Sequence, residues 1–164
     1  MIKPSITIVV LSTALCFAGI AAEKDAEESV SLEKIPPAAA KALREHAGGA
    51  KITGVSQEKD EGRMVYEASF TSKGRAHDVT VDKAGKLVSD EEVVPIGEAP
   101  KAVKAAIERE IPGGKVEKFE RIKEGGKVSY EELISAKGKR EEIKFDSAGK
   151  VLEREDKTGK KEKD

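Results

Sequence analysis

The side chains of this sequence that could do chemistry are mostly carboxylates, joined by two histidines and one cysteine. Cys16 lies in an apolar leader, so the rest of the chain has no thiol for a disulfide, a thiolate metal site or nucleophilic attack. His46 and His77 lack the spacing to other ligands that a zinc site shows. No serine lies in a nucleophile-elbow motif. We therefore predict no catalytic residue, no metal site and no cofactor.

Two pairs of carboxylates are spaced so that they could act as a general acid and base. Glu67 and Asp78 fall on neighbouring predicted strands, and Glu131 and Glu142 repeat the arrangement 64 residues later. Such catalysis needs one carboxyl group with a shifted pKa, whereas carboxylates on a highly charged sheet surface are usually solvated. The prediction is that the chain is not an enzyme.

The offset of 64 residues also relates two long stretches of the chain. Met64–Val88 reads MVYEASFTSKGRAHDVTVDKAGKLV, and Val128–Leu152 reads VSYEELISAKGKREEIKFDSAGKVL. Tyr-Glu, Lys-Gly and Asp-x-Ala-Gly-Lys recur without a gap, which indicates a duplicated structural unit. Each Asp-x-Ala-Gly-Lys segment predicts a tight turn, because aspartate accepts hydrogen bonds from local amides and glycine takes a positive φ. Calcium loops need more oxygen ligands than these turns offer.

Each unit is predicted to begin with a helix and to continue as four strands. The first helix lies within Ser31–Ala47, where Pro36 and Pro37 are tolerated only in the first turn, and its copy runs from Pro100 to Ile111. Spacing of apolar residues three apart in the first strand of each unit predicts a bulge there or a late start of the strand. The turns are short, which favours antiparallel pairing. The strands of the first unit are predicted at Lys51–Glu58, Arg63–Thr71, Arg75–Asp82 and Lys86–Asp90.

These patterns predict an α+β fold of two tandem repeats, each a short helix packed on a four-stranded antiparallel sheet. A unit of this size has a small core, so joining into one larger concave sheet is the alternative arrangement. The predicted segments are a signal peptide at 1–22, a linker at 23–29, repeats at 30–92 and 93–156, and a disordered charged tail at 157–164. Whether the leader is cleaved stays open.

Three features together resemble the PepSY-like domain family. They are a proline-initiated short helix ending in Gly-Gly, a Gly-Arg-x-Val-Tyr-Glu hairpin at Gly62–Glu67 with its copy at Gly126–Glu131, and the Asp-x-x-Gly-Lys turn. The tandem members of that family are similar in fold to the β-lactamase-inhibitor protein. The resemblance implies a periplasmic or secreted module without chemistry of its own that binds or restrains other proteins, sometimes peptidases.

Strand alternation separates a face under the helices, which includes Tyr66 and Phe70, from a face that the helices leave open. We predict that this open face binds a partner, with Val65 and Leu133 as apolar points and the charges setting specificity. The alternative is that it is only the hydrated side of an antiparallel sheet. The candidate residues are Val65, Glu67, Ser69, Asp78, Thr80, Glu131, Leu133, Arg140, Glu142 and Lys144.

The predicted function is therefore a non-enzymatic periplasmic or secreted protein-binding module, with restraint or inhibition of a peptidase as one form of it. Its partner would be another envelope or secreted protein or peptide. The alternative is an envelope sensor of a small ligand or cation, using the acidic pairs Glu91-Glu92 and Glu131-Glu132. A formal charge of −1, 4% aromatic residues and no tryptophan argue against nucleic acid. Beyond the leader, no membrane segment is expected.

Overall fold

The computed structural model describes residues 27–60 and 62–159, which form one nine-stranded antiparallel sheet with two helices. The predicted signal peptide, and residues 160–164 of the predicted tail, lie outside the described residues. Strands follow one another in chain order across the sheet. They are β1 (Glu28–Ser29), β2 (Ile52–Asp60), β3 (Arg63–Ser72), β4 (Arg75–Asp82), β5 (Leu87–Val93), β6 (Lys115–Glu124), β7 (Lys127–Ala136), β8 (Lys139–Asp146) and β9 (Val151–Asp156).

The prediction of two separate four-stranded sheets is wrong. β5 pairs with β6 from Ser89 opposite Glu124 to Val93 opposite Glu120, so the sheet is continuous. Separate sheets would leave both strands as edges with unpaired backbone groups, and their pairing satisfies those groups. The alternative of one larger sheet fits this continuity. Within the stretch expected to be a linker, the two residues of β1 pair with β2.

The first helix, α1 (Pro37–Ala47), begins and ends as its sequence predicts. Pro37 occupies the first turn, where a missing amide hydrogen costs nothing. At the other end, Gly48 takes the left-handed conformation with φ of 59°, and its N–H donates to the carbonyl oxygens of Arg44 and Glu45. Its Ala39 and Leu43 are fully buried against the sheet.

The second helix, α2 (Lys101–Glu110), follows a short 3₁₀ turn at Ile96–Glu98. It buries Val103, Ala106 and Ile107, and it ends at Ile111 without a left-handed residue. Each helix covers its own half of the same sheet face and so makes two cores. The first core includes Leu43, Tyr66, Ala68, Phe70, Val79 and Val81, and the second includes Val103, Ile107, Phe119, Ile134, Ile143 and Phe145. Neither helix in this part of the chain is both long and apolar enough to cross a membrane.

The two Asp-x-Ala-Gly-Lys turns form as predicted. Asp82 Oδ1 accepts hydrogen bonds from the backbone N–H groups of Ala84 at 2.8 Å and Lys86 at 2.9 Å. The second turn repeats both bonds from Ala148 and Lys150. These hydrogen bonds close each turn before the last strand of its half.

The glycines of these turns also bring the turn against the helix, which the sequence did not indicate. A Cβ on Gly85 would lie 2.7 Å from the carbonyl oxygen of Ala38, and one on Gly149 would lie 2.5 Å from that of Ala102. Both glycines have φ near 80°, the left-handed region that side chains disfavour. The motif therefore fixes where each helix rests on the sheet.

The predicted bulges in the first strand of each unit are confirmed. Register shifts occur between Ile52 and Gly54 in β2 and between Val116 and Lys118 in β6. A bulge increases the local twist of a strand and re-aims the side chains beyond it. This explains why apolar residues in these strands are three apart rather than two.

Candidate functional site

The sheet register places all ten candidate residues on the face opposite the helices. Glu67 lies across from Thr80, Ser69 from Asp78 and Leu133 from Glu142. Their strand neighbours Tyr66 and Ile134 are in the two cores, so alternation turns the candidates away from the helices. Their role in binding stays a prediction. The ten are Val65, Glu67, Ser69, Asp78, Thr80, Glu131, Leu133, Arg140, Glu142 and Lys144.

A shallow depression of about 320 Å³ lies on this face. Its lining comes from strands of both halves, from Glu67 on β3 through Glu91 on β5 to Glu142 on β8. Between them, Ile122 on β6 and Glu131 on β7 continue the surface. The pairing of β5 with β6 is what brings these carboxylates into one surface.

Glu91 is the centre of this acidic surface. Asp78 lies across from it on β4, and Ile122 lies across from it on β6. Burial and the nearby charges of Glu120, Glu131, Glu67 and Asp78 raise the pKa of Glu91 to about 8. A shift in this direction means that the surroundings do not supply enough positive charge to stabilise the carboxylate.

Glu67 and Glu131, which are copies of each other, have the same environment. Burial, followed by the charge of Asp78, raises the pKa of Glu67 to about 7, although Thr80 donates a hydrogen bond to it at 3.3 Å. Burial, followed by the charge of Glu142, raises the pKa of Glu131 to about 7. Both halves therefore contribute a carboxyl group that gains or loses its proton near neutral pH.

Several cations of this face lie toward the β8 and β9 side. Lys157 contacts Glu142 at 2.9 Å and Glu155 at 2.8 Å, and Lys144 lies 3.7 Å from Glu124. Lys157 is at the start of the segment predicted as a disordered tail, and its backbone N–H donates to the carbonyl of Arg140 at 2.9 Å. The charge on the face is thus uneven, with carboxylates concentrated at its centre.

The expected apolar points do not present apolar surface. Val65 is 2% exposed and Leu133 is 5% exposed, although both lie on the open face. Ile122 is 2% exposed in the same way. Val65 lies across from Asp82, and Leu133 lies across from Glu142. The depression on this face is lined mainly by charged side chains, most of them carboxylates.

The acidic pairs proposed for a cation sensor do not converge. Glu91 faces the open side, whereas Glu92 faces the helix side and accepts a hydrogen bond from Arg75 at 2.8 Å and another from Arg121. Glu131 is likewise on the open face, and Glu132 is completely buried under the second helix. Adjacent residues of a strand point in opposite directions, so such a pair cannot chelate one ion. Among the described residues, no group of three or more His, Cys, Asp or Glu has the geometry to hold a metal.

The two histidines lie away from this surface. His46 is exposed in the last turn of α1. His77 lies on the helix side of β4, where its ring stacks on Phe70 with centroids 5.3 Å apart and its Nδ1 is 3.6 Å from Asp90 Oδ1. Neither histidine takes part in the open face.

Sequence reasoning missed Glu91, Glu120 and Ile122 as members of the face. The predicted strand Lys86–Asp90 stops before Glu91, and the place of all three residues next to Glu67 and Glu131 depends on the pairing of β5 with β6. A pattern within one unit contains no signal for a contact between units.

Comparison with solved structures finds chains of similar fold. A DUF2874 family protein from Bacteroides uniformis matches with a TM-score of 0.64 and 21% identity, over 77% of this chain and 92% of that one. A Bacteroides eggerthii protein, provisionally described as periplasmic, has a TM-score of 0.64 at 20% identity, with coverages of 76% and 90%. A BLIP-like protein from Bacteroides fragilis has a TM-score of 0.58 at 19% identity, with coverages of 77% and 89%.

No family model matches the chain, and no curated protein matches it. The structural similarity supports the part of the resemblance that concerns a BLIP-like fold. Membership of the PepSY-like family is not shown. At identities of about one fifth, the fold is what these structures share with this chain, and function must be argued from its own surface.

Proposed function

We propose that this chain is a non-enzymatic binding module of the bacterial envelope whose open sheet face binds a positively charged segment of another protein. The observation that carries this proposal is the carboxylate surface around Glu91, at the centre of the face that neither helix covers. Burial and mutual repulsion raise the pKa values of Glu67, Glu91 and Glu131 to between about 7 and about 8. Lysine or arginine side chains from a partner would relieve that repulsion.

The character of the face supports weak and specific binding rather than tight burial. Val65 and Leu133 are covered, the sequence has no tryptophan, and both tyrosines lie on the helix side, so the face lacks the aromatic anchors of most tight interfaces. Charge complementarity mainly sets the association rate and the choice of partner. Binding should therefore weaken as salt screens the carboxylates.

Two features support a module without catalysis. The sequence predicts no nucleophile, and the depression on the open face is shallow and open. The proposed envelope location is supported by the leader pattern and by the description of a structural neighbour as periplasmic. Restraint of a peptidase is a narrower form of the same function, and a captured partner with peptidase activity would support it.

The test is capture of partners from an envelope fraction at pH 9, where all three carboxyl groups are largely ionised. The triple variant Glu67→Gln, Glu91→Gln and Glu131→Gln removes three negative charges from the face while keeping side-chain shape. It should lose a partner that the unaltered chain captures at low salt. The partner should bind through a lysine- or arginine-rich segment. Binding of a synthetic peptide of that segment to the unaltered chain checks this.

The matched control removes three exposed charges on the helix side, with Glu33→Gln, Glu45→Gln and Glu108→Gln. It should retain the partner, because the net charge is the same and the open face is intact. Equal capture by both triple variants would contradict the proposal. Calorimetry with divalent cations tests the alternative function, a cation sensor. A stoichiometric heat of binding and a raised melting temperature would favour that alternative.

A further inference from the structure

The second core contains a carboxyl group where the first core has a methyl group. Glu132 lies on β7 with the same alternation as Ile134 of that core, and it is 0% exposed. Its copy in the first half is Ala68, which is also 0% exposed. The register places Phe119 on one side of Glu132 and Ile143 on the other. An acidic group therefore lies between apolar side chains beneath α2.

Within the described residues, neither carboxylate oxygen of Glu132 has a hydrogen-bond partner. Arg154, whose positive charge acts on Glu132, is itself hydrogen-bonded to Glu110 of α2 at 2.8 Å and to Glu141 of β8. Burial raises the pKa of Glu132 to about 7, and the charge of Arg154 only partly opposes this. The titratable or charged groups on this side of the surrounding elements include Glu110 on α2, Arg121 on β6, Tyr130 on β7, Glu141 on β8, and Arg154 and Asp156 on β9.

We propose that protonation of Glu132 controls the packing of α2 on the sheet. The neutral carboxyl group is compatible with the closed apolar core, because its desolvation is far less costly than that of a carboxylate. The ionised group favours a core that opens far enough for water to reach it. Ala68 cannot ionise, so α1 stays packed while α2 responds. This inference concerns the helix side and does not depend on partner binding at the open face.

Proton linkage sets the direction and the pH range of the effect. In the open form the carboxyl group has its ordinary pKa near 4.5, and in the closed form its pKa is about 7. The closed form therefore has its full advantage below pH 4.5. As the pH rises from 4.5 to 7, the ratio of closed to open α2 falls by up to about tenfold per pH unit, and above 7 it levels off.

Amide hydrogen exchange on the full chain at pH 5, 6, 7 and 8, corrected for intrinsic exchange rates, measures this ratio for each helix. Protection of α2 should fall between pH 5 and 7 by about tenfold per pH unit more than protection of α1, and then become constant. The Glu132→Gln variant, which keeps the shape but cannot ionise, should remove this difference between the helices. Glu131→Gln, on the opposite face, should leave it in place.

Carbon NMR of the Glu132 carboxyl group in the unaltered chain gives an independent reading, so the inference does not depend on the stability of the variant. A midpoint well above 4.5, with loss of α2 protection over the same pH range, supports the proposal. Titration at the ordinary value would overturn it. Parallel changes of α1 and α2, or an unchanged difference in Glu132→Gln, would overturn it as well.

Discussion

The two halves of the sheet share a frame that is set by backbone contacts. Gly85 and Gly149 rest against the carbonyl oxygens of Ala38 and Ala102 in the same way, at distances that leave no room for a Cβ. The aspartates that open these turns make the same pairs of hydrogen bonds. The turn therefore contacts each helix at the equivalent point in both halves, although different side chains fill the two cores.

The halves differ in how they fill that frame. At two pairs of equivalent positions, Phe70 on β3 corresponds to Ile134 on β7, and Val81 on β4 corresponds to Phe145 on β8. A phenylalanine ring is thus supplied by a different strand in each half, which a core tolerates when its neighbours repack. The comparison teaches that apolar side chains can be rearranged on the same backbone, whereas Glu132 is a departure that packing alone does not explain.

A second difference comes from the position of each strand in the sheet. Glu91 and Glu155 are copies, but β5 is an interior strand that β6 continues, whereas β9 is paired on one side by β8. Glu91 faces four other carboxylates, and Glu155 contacts Lys157 at 2.8 Å. Equivalent residues thus have different electrostatic environments. The last strand of the first half, β5, pairs with the first strand of the second half, whereas the last strand of the second half, β9, lies at the edge of the sheet.

The largest effect should come from breaking the shared frame with Gly149→Ala. The new Cβ would meet the Ala102 carbonyl oxygen at 2.5 Å, and φ is 78°. Strain and overpacking together should lower the free energy of unfolding by about 3 kcal/mol. Gly138→Ala is the matched control, with φ of 79° and nothing within 4 Å of the new Cβ. Denaturant unfolding should give a loss of only about 1 kcal/mol for the control, and equal losses would refute the docking role.

The next effect sharpens the difference between the cores. Glu132→Leu replaces the buried carboxyl group by an apolar side chain of similar size and should raise the free energy of unfolding by about 2 kcal/mol at pH 8. At pH 5 the gain should be smaller, because the carboxyl group is then protonated in the folded chain. Thermal melting at both pH values checks this. A larger gain at pH 5 than at pH 8 would contradict the assignment of an ionisable buried group.

A smaller effect is expected from the copies Glu91 and Glu155. The folded-state pKa of Glu91 is raised to about 8, so folding binds a proton there, and the resulting stabilisation is lost as the pH rises from 4.5 to 8. Glu91→Gln should therefore raise the melting temperature by a few degrees at pH 8 and have little effect at pH 4.5. Glu155→Gln should not raise it, because it removes an acceptor of Lys157. Equal responses would mean that strand position does not matter.

Much of the local structure follows from the sequence. Several features depend only on residues that are close in the chain. They are the end of the first helix at Gly48, the turns at Asp82 and Asp146, the two bulges and the burial of Tyr66. Such features are set by local hydrogen bonds and by alternation, which the sequence displays directly. The location of the open face could be predicted for the same reason.

The arrangement between the halves could not be predicted in this way. β5 could lie at the edge of a sheet or pair with β6, depending on which partner forms hydrogen bonds with its backbone groups. The sequence of neither strand indicates which partner that is. The cluster around Glu91 and the burial of Glu132 follow from that pairing and from the core. A repeat predicts that Glu132 points the same way as Ala68, but not that a carboxyl group there has no partner.

The smallest predicted effect concerns the connection between the halves on the helix side. Glu92 on β5 accepts hydrogen bonds from Arg75 of the first half and Arg121 of the second, and its side chain is 13% exposed. Burial acts to raise the pKa of Glu92, but the bonds from the two arginines outweigh it and lower the pKa. Glu92→Gln should lower the free energy of unfolding by about 1 kcal/mol at pH 7, because two guanidinium groups lose their shared counter-charge.

The copy of Glu92 is Asp156, at the outer edge, so Asp156→Asn provides the matched control. Asp156→Asn should lower the free energy of unfolding by less, because the Asp156 side chain does not connect the two halves. A double-mutant cycle of Glu92→Gln with Arg121→Gln should give a coupling energy of about 0.5–1 kcal/mol that declines when the pH is lowered through the depressed pKa of Glu92. Folded-state stabilisation by a lowered carboxyl pKa is present above the ordinary value and is lost below it, so coupling that persists in strong acid would show that charge is not what joins the halves.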